Sequence, residues 1–251
     1  MAVPLAAKAA LTAAKSKTGR RIIGGAIVVL LVVPVLLIGA PIALIIFTVS
    51  AVSASAEAPT GESPCAAADG DEAQACEVSS DKRELAEQIV AATAAGKVAW
   101  LDARHFNQVR TYATDSAVSK SCLLDVRVLQ TIVIAQNMFG SVGVSSLNRQ
   151  CTGEVPAGSS TTSPHWFGRA VDFYSFGGSI ANGADSSSRS LIVMLDPLVT
   201  PGSRVGQVQC RGGNPVPTKN FSQFTDACHH LHVDFATGEA PLPLEQKESN
   251  P

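Results

Sequence analysis

Two short segments of the chain hold most of its histidines. The segment SPHWFGRAVD, residues 163–172, contains His165 and Asp172, and the segment CHHLHVDF, residues 228–235, has a histidine cluster that ends at His232. A hydrolytic zinc ion in a protein usually takes three ligands from His and Asp or Glu and leaves a fourth position open. His165, Asp172 and His232 have the right types and number. The sequence therefore predicts a zinc ion held between two segments that are distant along the chain.

The spacing within each segment predicts how these side chains are positioned. The gap between His165 and Asp172 is too long for one helix face, where ligands lie three or four residues apart. It suits a loop that carries His165, a tight turn at Gly168 and a strand that carries Asp172. The period of two in a strand places three polar residues of the second segment on one face: His230, His232 and Asp234. We expect the polar faces of both strands to meet at the metal.

The string Ser-x-His-x-x-Gly-Arg-Ala-x-Asp, followed later by His-Val-Asp, resembles the zinc D-Ala-D-Ala carboxypeptidase-like peptidases. That family includes phage L-alanyl-D-glutamate endolysins and shares its fold with the hedgehog signalling domain. The resemblance covers roughly residues 125–236 and is strongest at the two motifs. It implies a hedgehog/DD-peptidase-like fold, the same three zinc ligands and a peptidoglycan substrate. It also implies a substrate-contacting hydroxyl at Ser163 and an oxyanion-stabilising arginine on the preceding strand, which Arg149 matches best.

The chain departs from this family at the general base. The family usually has an acidic residue three positions before the last zinc histidine, where this chain has His229. Related lysostaphin-type and penicillin-insensitive murein endopeptidases use the first histidine of a His-x-His, which favours His230 because it shares a strand face with His232. Imidazole can accept a proton near neutral pH. Asp226 and Glu154 are weaker acidic candidates. A domain without a base, which only binds the wall and keeps a structural zinc, is the alternative function.

The N-terminal region predicts a membrane anchor. Residues 1–21 contain five basic and no acidic side chains, and they lead into the uncharged, apolar residues 22–49. This run exceeds the roughly 20 residues that a membrane helix needs, and it is longer than the core of a cleavable signal peptide. The basic flank places the N-terminus in the cytoplasm and the rest of the chain outside the cell membrane. The alternative is a long signal sequence that is cut within residues 51–58.

All six cysteines follow the apolar segment, which is typical of a chain that forms disulfides in an oxidising compartment. Pairing between neighbours in sequence predicts three bridges: Cys65–Cys76, Cys122–Cys151 and Cys210–Cys228. The chain has no Cys-x-x-Cys pair, which argues against a zinc-thiolate site. The first predicted bridge falls in residues 50–79, a stretch rich in Ala, Ser, Gly, Pro and acidic residues that predicts an extracytoplasmic stalk.

Residues 80–238 are expected to form the folded domain, and residues 239–251 a flexible tail. Helical periodicity predicts helices at 81–96, 125–139 and 187–198. Alternation predicts strands at 97–101, 141–149, 169–176, 204–210 and 231–236. Helices and strands mix without regular βαβ alternation. This order favours an α+β fold with a largely antiparallel sheet and flanking helices.

The charge of the chain limits its partners. The formal net charge is −2 and the sequence pI is about 6.2. Such a chain lacks the broad basic surface that nucleic-acid binding needs. The expected partners are instead the membrane, which the apolar N-terminal segment indicates, and bacterial peptidoglycan, which the motif resemblance implies. The oligomeric state is left open.

Overall fold

The structure is a computed structural model that describes residues 78–114, 116–156, 160–238 and 240–244. These residues belong to one compact unit. The predicted basic segment, the membrane helix and nearly all of the stalk lie outside the described residues, as do Cys65 and Cys76. Those interpretations stay predictions.

The described residues form a sheet with flanking helices, so the predicted α+β class is confirmed. The α-helices are α1 (Lys82–Ala94), α2 (Ala103–Ala113), α3 (Val126–Phe139), α4 (Arg149–Thr152) and α5 (Ser186–Leu195). The strands are β1 (Val98–Trp100), β2 (Val142–Ser146), β3 (Ala170–Phe176), β4 (Ser179–Ile180), β5 (Arg204–Val205), β6 (Ser222–Gln223) and β7 (Leu231–Asp234). Short 3-10 turns occur at Lys120–Cys122, Pro164–Phe167, Asp196–Leu198 and Val208–Arg211.

The sheet is mixed and has the strand order β1-β2-β3-β7-β5-β6, with β4 paired to β3. The central pairings of β3 with β2 and β7, and of β7 with β5, are antiparallel. The outer pairings of β1 with β2 and of β5 with β6 are parallel. Strands β3 and β7 carry the two sequence motifs, and their register places Asp172 opposite His232. The sheet topology therefore brings together two segments that are far apart in the sequence.

Helix α3 is the central helix of the hydrophobic core. Its residues 126–135 are all buried. The side chain of Asp125 caps its first turn by accepting from the backbone N–H of Arg127, and Gly140 follows its last residue at φ +73°. The stretch Lys120–Phe139, which includes α3, has a mean hydropathy of 1.3. Among the described residues, it alone is long and apolar enough to span a membrane. Since 67% of the apolar window is buried, we assign it to the core of the domain.

Two of the strands end at least three residues earlier than predicted. The strand predicted at 141–149 ends at Ser146, and Arg149 instead begins α4, because the side chain of Asn148 caps that helix by accepting from the N–H of Cys151. The strand predicted at 204–210 ends at Val205, because Gln207 has a left-handed backbone with φ +62° and a 3-10 turn follows it. Both breaks lie beside the candidate site.

Helix α2 was absent from the sequence-based prediction. Asp102 caps it by accepting from the N–H of Arg104. Its buried face consists of His105, Gln108 and Val109, two of which are polar. A buried stripe with so few apolar residues does not give the apolar period by which a helix is recognised.

Two of the predicted disulfides are confirmed. Cys122–Cys151 joins the 3-10 turn Lys120–Cys122 to α4 across 29 residues of sequence, and Cys210–Cys228 joins the turn Val208–Arg211 to the loop before β7 across 18 residues. Each bridge fixes a segment that lies directly beside a candidate site residue, Arg149 in the first case and His229 in the second. Closing such loops lowers the entropy of the unfolded chain.

Replacing Gly168 by alanine is expected to destabilise the domain by at least about 2 kcal/mol. Gly168 has φ +66°, and a Cβ there would lie 2.0 Å from the carbonyl oxygen of Leu123. Denaturant unfolding of the two proteins measures the difference. Gly140→Ala is the matched control, since Gly140 has φ +73° but its Cβ would meet nothing within 4 Å. Equal losses from both substitutions would contradict the role of the steric contact.

Candidate metal centre

Three buried side chains converge at the junction of β3, β7 and the turn Pro164–Phe167. Asp172 projects from β3, His232 from β7 and His165 from the turn. The Oδ1 atom of Asp172 lies 2.8 Å from Nδ1 of His232 and 3.0 Å from Nε2 of His165. The two ring nitrogens are 3.2 Å apart. The sheet thus gathers the three predicted ligands into one cluster.

The distances between these three atoms fit a single metal ion bound by all three. Ligand atoms of a tetrahedral zinc with bonds of about 2.0–2.1 Å lie about 3.3 Å apart. The remaining nitrogen of each ring is also held: Nδ1 of His165 lies 2.7 Å from the carbonyl oxygen of Leu147, and Nε2 of His232 lies 3.0 Å from Oδ2 of Asp234. Each acceptor holds a ring proton on the side away from the cluster, so in the neutral ring the other nitrogen is the one that can bind. The group could therefore hold a metal ion.

The electrostatics of the metal-free cluster favour ionised Asp172. Burial alone would raise the pKa of Asp172, but the neighbouring imidazoles of His165 and His232 outweigh burial and hold that pKa well below its ordinary value. Burial lowers the pKa of His165. Burial also opposes a charge on His232, yet hydrogen bonds to Asp172 and Asp234 raise its pKa to about 9. Without metal, His232 is thus a cation between two carboxylates.

Arg204 and Phe224, which also line the cavity described below, hold Asp234 and His232 in place. Arg204 donates to Oδ2 of Asp234 through Nε at 3.0 Å and Nη2 at 2.8 Å. Its guanidinium lies 4.9 Å from the centre of the Phe224 ring, and that ring contacts the His232 imidazole edge-on at 5.3 Å between centroids. The alternating pattern of β7 pointed to Asp234, whereas no local pattern in the sequence singled out Arg204 or Phe224.

Arg149 lies next to the ligand cluster but on a helix instead of the predicted strand. Its Nη2 donates to Oδ2 of Asp172 at 3.0 Å, and its Nε donates to the hydroxyl of Ser146 at 3.0 Å. The side chain is 15% exposed, on the side of the cavity. A cation held at this place can stabilise negative charge that develops beside the cluster.

His230 faces the cluster, and His229 lies further out. His230 is 8% exposed, whereas His229 is exposed. The Nε2 atom of His230 lies 3.6 Å from Oδ1 of Asp172 and 3.3 Å from Oδ2 of Asp226. The Nδ1 atoms of the two histidines are 3.1 Å apart. Asp226, which the sequence analysis gave as a weaker candidate for the general base, is therefore the carboxylate partner of His230.

Glu154 also lines the cavity, and its carboxylate is engaged by other residues. Its carboxylate pairs with Arg104 and lies 3.3 Å from Nε2 of His105. His105 is buried, and its Nδ1 accepts from the backbone N–H of Leu147 at 3.2 Å. Burial lowers the pKa of His105. Both residues therefore belong to the packing around the site.

A cavity of about 1030 Å³ opens over the cluster. Arg149, His229, His230 and the three ligands line it, together with Arg204 and Glu154. Its other polar wall residues are Asp226 and six residues with hydroxyl groups: Ser145, Ser146, Ser160, Thr162, Ser163 and Thr225. The cavity is large enough for a peptide-sized ligand, and its walls offer many hydrogen-bonding groups. Ser163, the predicted substrate contact, belongs to these walls.

Comparison of the chain with protein-family models, with curated proteins and with solved structures finds no match to any of them.

Proposed function

We propose that this protein is a membrane-anchored, extracytoplasmic zinc peptidase that hydrolyses peptide bonds in the stem peptides or cross-links of peptidoglycan. The observation that carries the proposal is the convergence of His165 Nε2, Asp172 Oδ1 and His232 Nδ1 within 3.2 Å of one another at a cavity of about 1030 Å³. The hedgehog/DD-peptidase-like fold and the wall substrate follow from the motif resemblance. The anchor follows from the basic and apolar N-terminal sequence.

Zinc is the ion that this donor set suits, and when bound by His165, Asp172 and His232 it supplies a Lewis acid that activates water and polarises a peptide carbonyl. His230 takes the proton from the attacking water and passes it to the leaving amine. The Asp226 carboxylate, 3.3 Å from Nε2 of His230, stabilises the resulting imidazolium.

Arg149 stabilises the carbonyl oxygen as negative charge develops on it. Its guanidinium is fixed by Asp172 and Ser146 at 3.0 Å each, so little reorganisation is needed when the charge appears. Ser163 and the other hydroxyl groups of the cavity hydrogen-bond to the substrate backbone. The two disulfides keep the segments next to Arg149 and His230 in place.

The full chain, purified in detergent and loaded with zinc, is expected to release peptides or D-alanine from isolated peptidoglycan. Mass spectrometry of the soluble products identifies the bond that is cut, since a carboxypeptidase and an endopeptidase give products of different mass. The matched control is His165→Ala, which lacks a zinc ligand and should release nothing.

The same incubation distinguishes the alternative function. If the wild-type protein sediments with peptidoglycan but releases no product under any divalent metal, the proposal is wrong and the domain is a wall-binding module.

A further inference from the structure

A second group of potential metal ligands lies beside the first. Asp226, His230 and His232 each offer a ligand atom, and these atoms lie within 4.8 Å of one another. His232 belongs to both groups. His230 is more than nine-tenths buried, and its Nε2 atom points into the cavity towards both carboxylates, Asp226 and Asp172.

His232 can serve only one ion at a time. Its Nε2 is engaged by Oδ2 of Asp234 at 3.0 Å, which leaves Nδ1 as its free nitrogen. That nitrogen lies 3.2 Å from Nε2 of His165, within the first group. When an ion occupies the first group, the protein ligands that remain are Asp226 and His230.

The hydrogen bonds around His230 leave its Nε2 with a lone pair. The backbone N–H of His232 donates to Oε1 of Gln207 at 3.0 Å, which fixes the orientation of the Gln207 amide. The amide nitrogen of Gln207 therefore faces Nε2 of His230 at 3.1 Å, and a donor in that place requires an acceptor. The proton of the neutral ring then resides on Nδ1, next to His229.

This arrangement points three electron-rich atoms at one another. The lone pair on Nε2 of His230 faces Oδ2 of Asp226 at 3.3 Å and Oδ1 of Asp172 at 3.6 Å. A cation among these atoms relieves their repulsion, and imidazole with carboxylate is a ligand set that suits divalent zinc and its neighbours in the transition series.

We propose that Asp226 and His230 form a second, weaker site for a divalent transition-metal ion, next to the site of the first ion. It is weaker because it has two protein ligands, because Gln207 competes for the lone pair of His230, and because the two cations repel each other. In the proposed function, on which this prediction of inhibition rests, Asp226 and His230 together accept the proton. An ion bound by them therefore inhibits hydrolysis. Zinc then acts as cofactor at low and as inhibitor at high concentration.

The full chain without an affinity tag, in detergent, is dialysed against buffered free zinc and its metal content is measured. The wild-type protein is expected to bind one tight and one weaker equivalent. Asp226→Asn and His230→Gln are each expected to weaken the second equivalent at least about tenfold and to keep the first, whose retention also shows that the variants fold. Where hydrolysis is measured, inhibition should follow the affinity of the second equivalent.

The neighbouring histidine provides the matched control: His229→Gln should keep both equivalents. If the wild-type protein binds only one equivalent of zinc at free zinc concentrations up to the millimolar range, the proposal of a second site is wrong. The second site is also contradicted if the Asp226→Asn and His230→Gln variants both still bind the second zinc equivalent, or if His229→Gln abolishes it. The first site is tested separately by His165→Ala, which should remove the tight equivalent. Absence of hydrolysis would contradict the peptidase proposal only. The second site would still be tested by the number of zinc equivalents that the protein binds.

Discussion

Zinc binding by the wild-type protein is expected to weaken about tenfold for each unit by which the pH falls below about 9. In the metal-free cluster, hydrogen bonds to Asp172 and Asp234 outweigh burial and raise the pKa of His232 to about 9, so the ion must displace one proton from this ring. The lowered pKa of His165 and the low pKa of Asp172 keep both in the binding form. Competition with a zinc-binding dye at several pH values measures the slope.

The stability of the metal-free protein should change in the opposite direction. A raised pKa means that protonated His232 contributes stability that is fully present below the unfolded value of about 6.5 and is lost as the pH rises through about 9. With a chelator present, this contribution to the melting temperature falls from pH 6.5 to 9, whereas the stabilisation gained by adding zinc grows over the same range. His165→Ala should show no tight zinc binding at any pH. An affinity that does not change with pH would mean that His232 is neutral before metal binds.

The three residues of the candidate metal cluster could be located from the sequence because their positions follow from local rules. Strand periodicity places Asp172 and His232 on definite faces, and Gly168 marks the turn that carries His165. Adjacent, antiparallel strands then bring the two faces together, as the register of Asp172 with His232 demonstrates. Residue type and a period of two were sufficient for this part of the site.

The supporting residues could not be located in this way, because their roles depend on tertiary contacts. Gln207 occupies a left-handed backbone position that sequence rules reserve mainly for glycine, and it bonds to two histidines from another segment. Arg204 reaches Asp234 across paired strands. Arg149 was expected on a strand, but the cap formed by Asn148 starts a helix there. None of these contacts has a signature in the spacing of neighbouring residues.

Replacing His230 by alanine is expected to lower kcat for peptide-bond hydrolysis about 10²–10⁴-fold, the usual contribution of a general base. His230 is buried beside the ligand cluster, with Nε2 3.6 Å from Oδ1 of Asp172 and 3.3 Å from Oδ2 of Asp226. His229→Ala is the control, since His229 is exposed and contacts the ring of His230 from the outer side. We expect a loss of a few-fold from that control, measured by product release under saturating substrate.

The distinction between the two histidines depends on comparing kcat with zinc content. His230→Ala should keep the tight zinc ion, because His230 is not one of the ligands His165, Asp172 and His232, so a loss of kcat at full zinc occupancy reports proton transfer. If His229→Ala causes the larger loss at full occupancy, then the residue three positions before the last ligand accepts the proton, as the motif resemblance implies, and the buried position of His230 serves metal binding alone. Equal, small losses from both variants would exclude either histidine as the base.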